Sequence, residues 1–319
     1  MIFSILFLVA GLVLLIKGAD WLVDGASSLA GRFGISALVI GLTVVAFGTS
    51  APEFIINIFA SVNGATDIAI GNVVGSNIAN ILLILGISSL IFPLTVTRGT
   101  VWKEIPLALL AVLIIAFMAN DALLEGKGFS EIGLVDGLVL LAFFSIFLAY
   151  VIAISKNGSA KSEGPVKQYG MPVSMVLCVG GLICLGVGGK FVVDGAMAIA
   201  QSLGLSQAFI GLTVVAVGTS LPELATSVTA ARKKNSDIAV GNIVGSNIFN
   251  IFWILGASAV IKPLVFSPAL NADIAIGIVS SFLLFLFMFV GARHTLERWQ
   301  GAFFVVAYAA YILYLLMRG

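Results

Sequence analysis

Two glutamates, Glu53 and Glu223, each end one of two nearly identical apolar stretches of the chain. The first stretch is GLTVVAFGTSAPE at 41–53, and the second is GLTVVAVGTSLPE at 211–223. An ionised carboxylate at the centre of a lipid bilayer costs about 2.5–3.5 kcal/mol. Neither glutamate has a lysine or arginine beside it in the sequence. We therefore expect a bound cation to supply the compensating charge.

A proline precedes each glutamate, Pro52 in the first stretch and Pro222 in the second. Because proline has no N–H, it frees the carbonyl four residues back, at Gly48 and at Gly218. The sequence therefore predicts a local break in each helix. Irregular backbone at membrane depth is tolerated only where it is buried in protein or lines a water-filled cavity.

A second pair of stretches supplies neutral oxygen atoms. DIAIGNVVGSNIANI at 67–81 matches DIAVGNIVGSNIFNI at 237–251. Polar residues recur every four positions, which places them on one helix face: Asn72, Ser76 and Asn80, repeated as Asn242, Ser246 and Asn250. Hydrogen bonds between helices are the alternative role for these side chains. The glycines of both stretches are predicted to allow close helix packing, and Asp67 and Asp237 to cap helix N-termini.

Together these residues form a set of hard ligands. They offer two carboxylates, hydroxyls, amide oxygens and freed carbonyls, with no histidine or thiolate among them. Such a set suits Ca²⁺, Mg²⁺ or Na⁺ rather than zinc or copper. One Ca²⁺ balances two negative charges, and so do two Na⁺. A cavity that holds either species but not both has the physical basis for ion exchange.

The composition indicates an all-α integral membrane protein. Of 319 residues, 60% are hydrophobic and 10% are charged, and the net charge of +1 gives no basic surface for nucleic acid. Long apolar runs recur without the alternation of a transmembrane barrel. We expect Cys178 and Cys184 to be small buried residues, not a disulfide or metal site. Ten crossings are predicted, at residues 2–24, 36–62, 68–92, 102–119, 132–154, 171–194, 206–231, 238–261, 272–291 and 299–317.

The chain is an internal duplication. Gly41 matches Gly211, an offset of 170 residues, and the same offset aligns the 67–81 stretch with 237–251. Five crossings separate each residue from its copy, so the two repeats are predicted to be inverted relative to each other. Residues 1–154 would form the first five-helix repeat, 155–170 a cytoplasmic linker, and 171–319 the second repeat. Inverted repeats with a site between them are typical of secondary transporters.

The distribution of cations agrees with inversion. The loop at 63–66 carries no cation, whereas its copy at 233–236 carries Lys233 and Lys234. Lysines and arginines are concentrated after the odd-numbered crossings. By the positive-inside rule this places the 155–170 linker in the cytoplasm and both termini outside.

The paired motifs resemble those of the sodium/calcium exchanger family, within the cation/calcium antiporter superfamily. They stand here as GTSAPE with GNVVGSNIAN, and as GTSLPE with GNIVGSNIFN. The resemblance covers the whole chain and is strongest to the short prokaryotic members. It implies a non-enzymatic antiporter of the cell membrane. Na⁺ and Ca²⁺ would be its transported ions, the bilayer its surroundings, and no cofactor or obligate protein partner is implied.

The resemblance also implies a set of cation ligands between the second, third, seventh and eighth helices. Glu53 and Glu223 would be shared by Ca²⁺ and Na⁺, and Asn80 and Asn250 would complete the central position. Further oxygens would come from Thr49 and Thr219, from the carbonyls of Ala46 and Ala216, and from the hydroxyls of Ser50, Ser76, Ser220 and Ser246. In the family, the first and sixth helices slide against the other eight. Some members of the family carry aspartate where this chain has Asn250, and potassium-dependent relatives are among them. Asn250 therefore argues against potassium co-transport.

Three other functions are weighed against Na⁺/Ca²⁺ exchange. The same scaffold could be driven by protons, because buried glutamates also bind H⁺. A cation channel would need a continuous pore, whereas a closed carboxylate pair favours occlusion. An intramembrane protease would need paired aspartates or a histidine-based metal site, and the motifs contain neither.

Overall fold

The computed structural model describes residues 2–124, 126, 128–156, 168–202 and 216–318. Helices account for most of them. The first half contains α1 Ile2–Phe33, α2 Ala37–Thr49, α3 Ala51–Val62, α4 Thr66–Ile91, α5 Thr100–Met118, α6 Asp121–Leu124 and α7 Leu134–Lys156. The second half contains α8 Met171–Ser202, α9 Ala216–Thr219, α10 Leu221–Arg232, α11 Ser236–Ile261, α12 Asn271–Phe287 and α13 Arg298–Arg318.

Within the described ranges, 8 helices are long and apolar enough to cross a membrane, and the bent pair α2–α3 makes a ninth. These spans agree with nine of the predicted crossings. The tenth, predicted at 206–231, is described only from residue 216 onward, where α9 and α10 lie. Most of the predicted linker, residues 157–167, also lies outside the described residues. The chain is a helical membrane protein.

The predicted helix breaks are confirmed. Helix α2 ends at Thr49 and α3 begins at Ala51, with an angle of 47° between them. Ser50 separates them, with ψ near 7°, and Ser220 has the same ψ between α9 and α10. The proline stands in the first turn of the helix after each break, where its missing N–H costs no helical hydrogen bond.

Helices α4 and α11 carry the second pair of motifs. Residues within α11 are buried over nearly its whole length, and most of those in α4 are buried. Each helix widens into a π-helical segment, at Asn80–Leu85 in α4 and at Phe249–Leu255 in α11. Such widened turns occur often at functional sites. The predicted caps are wrong: Asp67 and Asp237 lie inside the first turns, and Asn235 caps α11 by accepting from the Ile238 N–H.

Glycines bring the two halves into close contact. A Cβ on Gly245 would lie 2.8 Å from Cβ of Ala46 and 2.9 Å from Cα of Leu42, so α11 touches the backbone of α2 there. The predicted packing role is confirmed for this glycine. For Gly71 and Gly75 of the first copy, no described atom beyond the neighbouring turns lies within 4 Å of a Cβ position, so their packing role stays a prediction.

Helices α1 and α8 pack against each other along their lengths. A Cβ on Gly18 would lie 2.8 Å from Cβ of Cys184, and one on Gly25 would lie 2.9 Å from Sγ of Cys178. Both cysteines are free thiols. Cys178 is buried, as predicted, whereas Cys184 is only partly buried, so the prediction of burial is wrong for Cys184. This close pairing sets α1 and α8 together against the helices that carry the motifs.

Two short antiparallel pairs join the halves. Strand β1 Leu94–Thr95 pairs with β4 Thr295–Leu296, and β2 Glu131–Ile132 pairs with β3 Leu264–Val265. Each pair takes one strand from each half of the sequence. The two halves are therefore interlocked at the ends of their helices as well as along them.

Candidate cation-binding site

The two glutamates lie in equivalent places. Glu53 is in the first turn of α3 and Glu223 in the first turn of α10, immediately after the helix breaks. Each side chain is only 1% exposed. A helix N-terminus favours negative charge, because its N–H groups lack helical partners. The breaks therefore place each carboxylate where the backbone partly stabilises it.

Crossed hydrogen bonds bring the two glutamates together. The hydroxyl of Ser50 donates to Oε1 of Glu223 over 2.9 Å, and that of Ser220 lies 3.4 Å from Oε1 of Glu53. Each serine is three residues before the glutamate of its own half. Each carboxylate is thus held by the break in the opposite half, and the two acids share one site.

No described lysine or arginine forms an ion pair with either glutamate. The ion pairs among the described residues join Lys190 to Asp194, Lys233 to Asp20 and Asp24, and Arg318 to Asp273. A buried charge is stable only when it is paired, neutralised or bound to a metal ion. Among the described residues, no protein cation therefore compensates the charge of either glutamate.

A network of amides and hydroxyls surrounds the second glutamate. The hydroxyl of Thr49 lies 3.1 Å from Oδ1 of Asn242, and Nδ2 of Asn242 donates to Oγ of Ser227 over 2.9 Å. The Ser227 hydroxyl donates in turn to the carbonyl of Ala239. Asn242 therefore serves in hydrogen bonds between helices, the alternative role that the sequence left open.

The first half has the matching network. Nδ2 of Asn72 donates to Oδ1 of Asn57 over 2.6 Å, and Nδ2 of Asn57 donates to the carbonyl of Ala69. These three residues are equivalent, at the offset of 170, to Asn242, Ser227 and Ala239. Both halves thus brace the glutamate helix against the following helix in the same way.

Four asparagines form a symmetric cluster between α4 and α11. Nδ2 of Asn80 donates to Oδ1 of Asn247 over 2.9 Å, and Nδ2 of Asn250 donates to Oδ1 of Asn77 over 3.0 Å. Asn77 and Asn247 also donate to each other's backbone carbonyl, over 3.2 and 3.4 Å. We call these four side chains the amide cluster. Every bond in it joins one half of the chain to the other.

Several buried oxygens of the site have no hydrogen-bond partner among the described residues. They are Oε2 of Glu53, Oε2 of Glu223, Oδ1 of Asn80, Oδ1 of Asn250 and Oγ of Ser246. Buried polar atoms are rarely left without a partner, because desolvation costs about 1–3 kcal/mol for each. Carboxylate, amide and hydroxyl oxygens are the ligands of hard cations. The arrangement can therefore bind Na⁺ or Ca²⁺.

The remaining predicted residues lie on the same helices. Ser76 is buried, and its hydroxyl lies 3.4 Å from that of Ser220. The carbonyl of Ala46 already accepts from the N–H of Ser50 and from the hydroxyl of Thr49. Thr219, the last residue of α9, is buried, and Ala216 begins that helix. The structure joins Ser50 to Glu223 by one hydrogen bond, and it places the Ser220 hydroxyl next to both Glu53 and Ser76.

Asn77 and Asn247 are not among the ligands predicted from the sequence. Both are identical in the two copies of the GSN motif, at the offset of 170. They fall outside the four-residue spacing of the predicted ligands, so the periodicity did not select them. Identity between the copies is the signal that could have found them.

Comparison with known proteins places this site in a family. A family model described as sodium/calcium exchanger protein matches residues 3–153 and 173–317. The chain belongs to the sodium/calcium exchanger family. The exchanger is 34% identical to the sodium/calcium exchanger MaX1 of Methanosarcina acetivorans, over 98% of each chain. It is 37% identical to the inner membrane protein YrbG of Escherichia coli, over 89% of this chain and 88% of that one.

A solved structure shares the fold. The sodium-calcium exchanger NCX_Mj, soaked with Na⁺ and Sr²⁺, is 38% identical in sequence and covers 98% of both chains, with a TM-score of 0.84. This likeness extends over both halves of the exchanger and includes the helices that carry the two glutamates.

Proposed function

We propose that this exchanger is a secondary antiporter that exchanges Na⁺ for Ca²⁺ across the cell membrane by alternating access. One observation carries the proposal. Two buried carboxylates from opposite halves share a site, each held by a serine of the other half, and no lysine or arginine among the described residues is paired to either. A site with two uncompensated negative charges requires cations from solution.

The charge of the site supports exchange of these two ions. Either one Ca²⁺ or two Na⁺ neutralises Glu53 and Glu223. Loading the site with one kind of ion therefore excludes the other. MaX1 and NCX_Mj are both named as sodium/calcium exchangers, which supports the same pair of ions for this chain.

The proposed ligands of the central position are the unpartnered oxygens of Glu53, Glu223, Asn80 and Asn250. Each half contributes one carboxylate and one amide, which gives four unpartnered oxygens; if both carboxylates bind through both of their oxygens, the total is six, the lower limit for Ca²⁺. The proposed outer sodium positions use the hydroxyls of the threonines and serines at the helix breaks and of the serines in the second motifs, together with the carbonyls of two alanines. These residues are Thr49, Thr219, Ser50, Ser220, Ser76, Ser246, Ala46 and Ala216.

The proposed architecture is ten transmembrane helices in two inverted five-helix repeats. The repeats are residues 1–154 and 171–319, joined by a cytoplasmic linker at 155–170, with both termini outside. Equivalent hydrogen bonds at the offset of 170 and the exchanged strand pairs support the duplication. We propose that α1 and α8, which pack together, move as a pair to switch access to the site.

The test is calcium uptake by the purified exchanger in liposomes. Vesicles are loaded with Na⁺ or with choline, diluted into Na⁺-free buffer containing radioactive Ca²⁺, and assayed with and without an imposed pH gradient. Saturable uptake that requires internal Na⁺ and persists with a protonophore is the expected result. Uptake that follows only the pH gradient would replace Na⁺ by H⁺ as the coupling ion. Unsaturable flux without a counter-ion would contradict antiport.

A further inference from the structure

We infer that Asn77 and Asn247 are positioning residues that set the cation selectivity of the exchanger. In this view they bind no ion themselves but fix the direction in which the amide oxygens of Asn80 and Asn250 point. The inference rests on the proposed function, because it concerns the same site. It assigns a role to two residues that neither the motif spacing nor the proposed ligand set includes.

A backbone carbonyl can only accept a hydrogen bond. The carbonyl of Asn77 faces the side-chain amide of Asn247 at 3.4 Å. Since the amide must present its nitrogen to that carbonyl, its oxygen points away. The orientation of Asn247 is thus determined by the backbone of the opposite helix.

The same donor and acceptor rules determine the orientation of Asn80. Oδ1 of Asn247 lies 2.9 Å from the amide of Asn80, so Asn80 must present its nitrogen there. A reversed Asn80 amide would bring two carbonyl oxygens into contact and lose the bond. Oδ1 of Asn80 is therefore directed away from the cluster, and it has no partner among the described residues.

The second half repeats the chain of bonds. The carbonyl of Asn247 accepts from Nδ2 of Asn77 over 3.2 Å, and Oδ1 of Asn77 accepts from Nδ2 of Asn250 over 3.0 Å. Oδ1 of Asn250 is likewise buried without a partner. Both proposed amide ligands are thus aligned by a relay that starts at an acceptor-only group.

Burial makes the relay effective. The four asparagines of the amide cluster are 1–3% exposed, so water does not supply substitute bonds at their surfaces. Asn80 is the first residue of the π-helical segment of α4, and Asn250 lies in that of α11. The widened turns leave the backbone less regular there, and the cross-helix amide bonds hold the two ligands in place.

The chemical consequence concerns the choice of cation. Groups that orient metal ligands typically change metal affinity by about 10- to 100-fold when they are removed. Ca²⁺ needs more oxygen ligands than Na⁺ does in this site, because one Ca²⁺ must use both amides and both carboxylates at once. Loss of the orienting hydrogen bond should therefore weaken the binding of Ca²⁺ more than the binding of Na⁺.

The primary variant is Asn247→Leu, which removes the acceptor for Asn80 at similar volume. In Na⁺-loaded liposomes the apparent KM for Ca²⁺ should rise about 10- to 100-fold, with most of the maximal rate retained. Asn271→Leu is the matched control. Asn271 also forms an amide pair across the two halves, with Asn120 at 2.8 and 2.9 Å, but on helix ends that carry no motif. Its KM should stay at the wild-type value.

A double-mutant cycle separates positioning from structural support. An aspartate at position 80 presents an oxygen in either orientation and needs no aligned amide. In an Asn80→Asp background, Asn247→Leu should therefore raise KM by only a few-fold. Coupling of this kind is expected only when one residue acts through the other. An unchanged KM in Asn247→Leu, or an equal rise in both backgrounds, would overturn the inference.

The symmetry supplies a second double-mutant cycle, in which Asn77→Leu is tested alone and in an Asn250→Asp background. If the variants of one cycle fold poorly, the other cycle still tests the inference. Calcium-induced stabilisation of the detergent-solubilised protein provides a readout that needs no transport. If wild-type protein binds Ca²⁺ without Na⁺-dependent uptake, the proposed function fails. The inference is then still decided by whether the Leu variants weaken Ca²⁺ stabilisation and Asn271→Leu does not.

Discussion

The hydroxyl of Ser50 donates a hydrogen bond of 2.9 Å to Oε1 of Glu223, a residue 173 positions away in the other half of the chain. The equivalent contact, from Ser220 to Oε1 of Glu53, is 3.4 Å long. In both cases one carboxylate oxygen is held and Oε2 is left without a partner among the described residues. The site thus forms only when the two halves of the duplication are assembled.

The difference in length predicts unequal effects of removing the two hydroxyls. A hydrogen bond to a charged group contributes about 1.5–3 kcal/mol, whereas a contact of 3.4 Å is beyond the usual range and weaker. Ser50→Ala should raise the apparent KM for Ca²⁺ by about tenfold or more, because 1.4 kcal/mol corresponds to a factor of ten. Ser220→Ala should raise it less. Uptake assays at graded Ca²⁺ concentrations measure both, and a larger effect of Ser220→Ala would contradict the assignment.

Removing either acidic charge should abolish exchange. In Glu53→Gln or Glu223→Gln the site retains one negative charge, which cannot balance Ca²⁺ or two Na⁺. Na⁺-dependent uptake should therefore fall to the level of protein-free liposomes, while the purified variants remain folded by size-exclusion chromatography.

A third buried glutamate of the same chain provides the control. Glu104 is also 1% exposed, but its carboxylate accepts a hydrogen bond from the hydroxyl of Tyr150, outside the motifs. Glu104→Gln should keep Na⁺-dependent uptake. Near-normal activity in Glu53→Gln, or equal loss in all three variants, would refute the assignment of the site.

Much of the fold followed from composition and periodicity. Uninterrupted apolar runs predict the spanning helices, and the offset of 170 predicts that equivalent residues make equivalent contacts. The contacts of Asn57 with Ala69 and of Ser227 with Ala239 bear this out. The exchanged strand pairs could not be predicted, because two-residue strands carry no periodic signal.

The sequence predicted several residues of the site but not how their side chains contact one another. Glu53 and Glu223 stood out because their burial is costly, and the serines lay in the same motif. The crossed pairing of Ser50 with Glu223 depends on how the halves dock, which no local pattern encodes. The hydrogen bonds of the amide cluster could not be predicted for the same reason, since Asn77 accepts its bond from Asn250 on another helix.

Replacing Asn250 by aspartate should make calcium transport depend more steeply on pH. The variant would place a third carboxylate in the site and could no longer donate to Oδ1 of Asn77. Because a carboxylate binds protons as well as metal ions, acidification should compete with Ca²⁺ more strongly than in wild type. The apparent KM for Ca²⁺, measured from about pH 8 to about pH 6, should rise more in Asn250→Asp. Parallel curves for the two proteins would place Asn250 outside the ligand set.

Close packing of α11 on α2 should make Gly245 intolerant of a larger side chain. A Cβ there would meet Cα of Leu42 at 2.9 Å, and backbone cannot yield as a flexible side chain can. Overpacking of this kind costs about 1–3 kcal/mol, so Gly245→Ala should lower the thermal unfolding temperature. Gly31→Ala is the control, since no described atom beyond the neighbouring turns of its own helix lies within 4 Å of its Cβ position. Equal stability of the two variants would contradict the close contact.

The proposed orientation predicts where each end of the chain lies. Alkaline phosphatase requires disulfides, which form in the periplasm and not in the cytoplasm, so its activity reports an outside location. Fused after Arg318 and expressed in a bacterium, it should be active. Inserted after Lys161 in the 155–170 linker, it should be inactive, because that linker is predicted to be cytoplasmic. A cytoplasmic fluorescent protein at the same two positions should give the opposite pattern. An active phosphatase at the linker and an inactive one at the C-terminus would invert the proposed topology, and with it the side from which Na⁺ enters the exchanger.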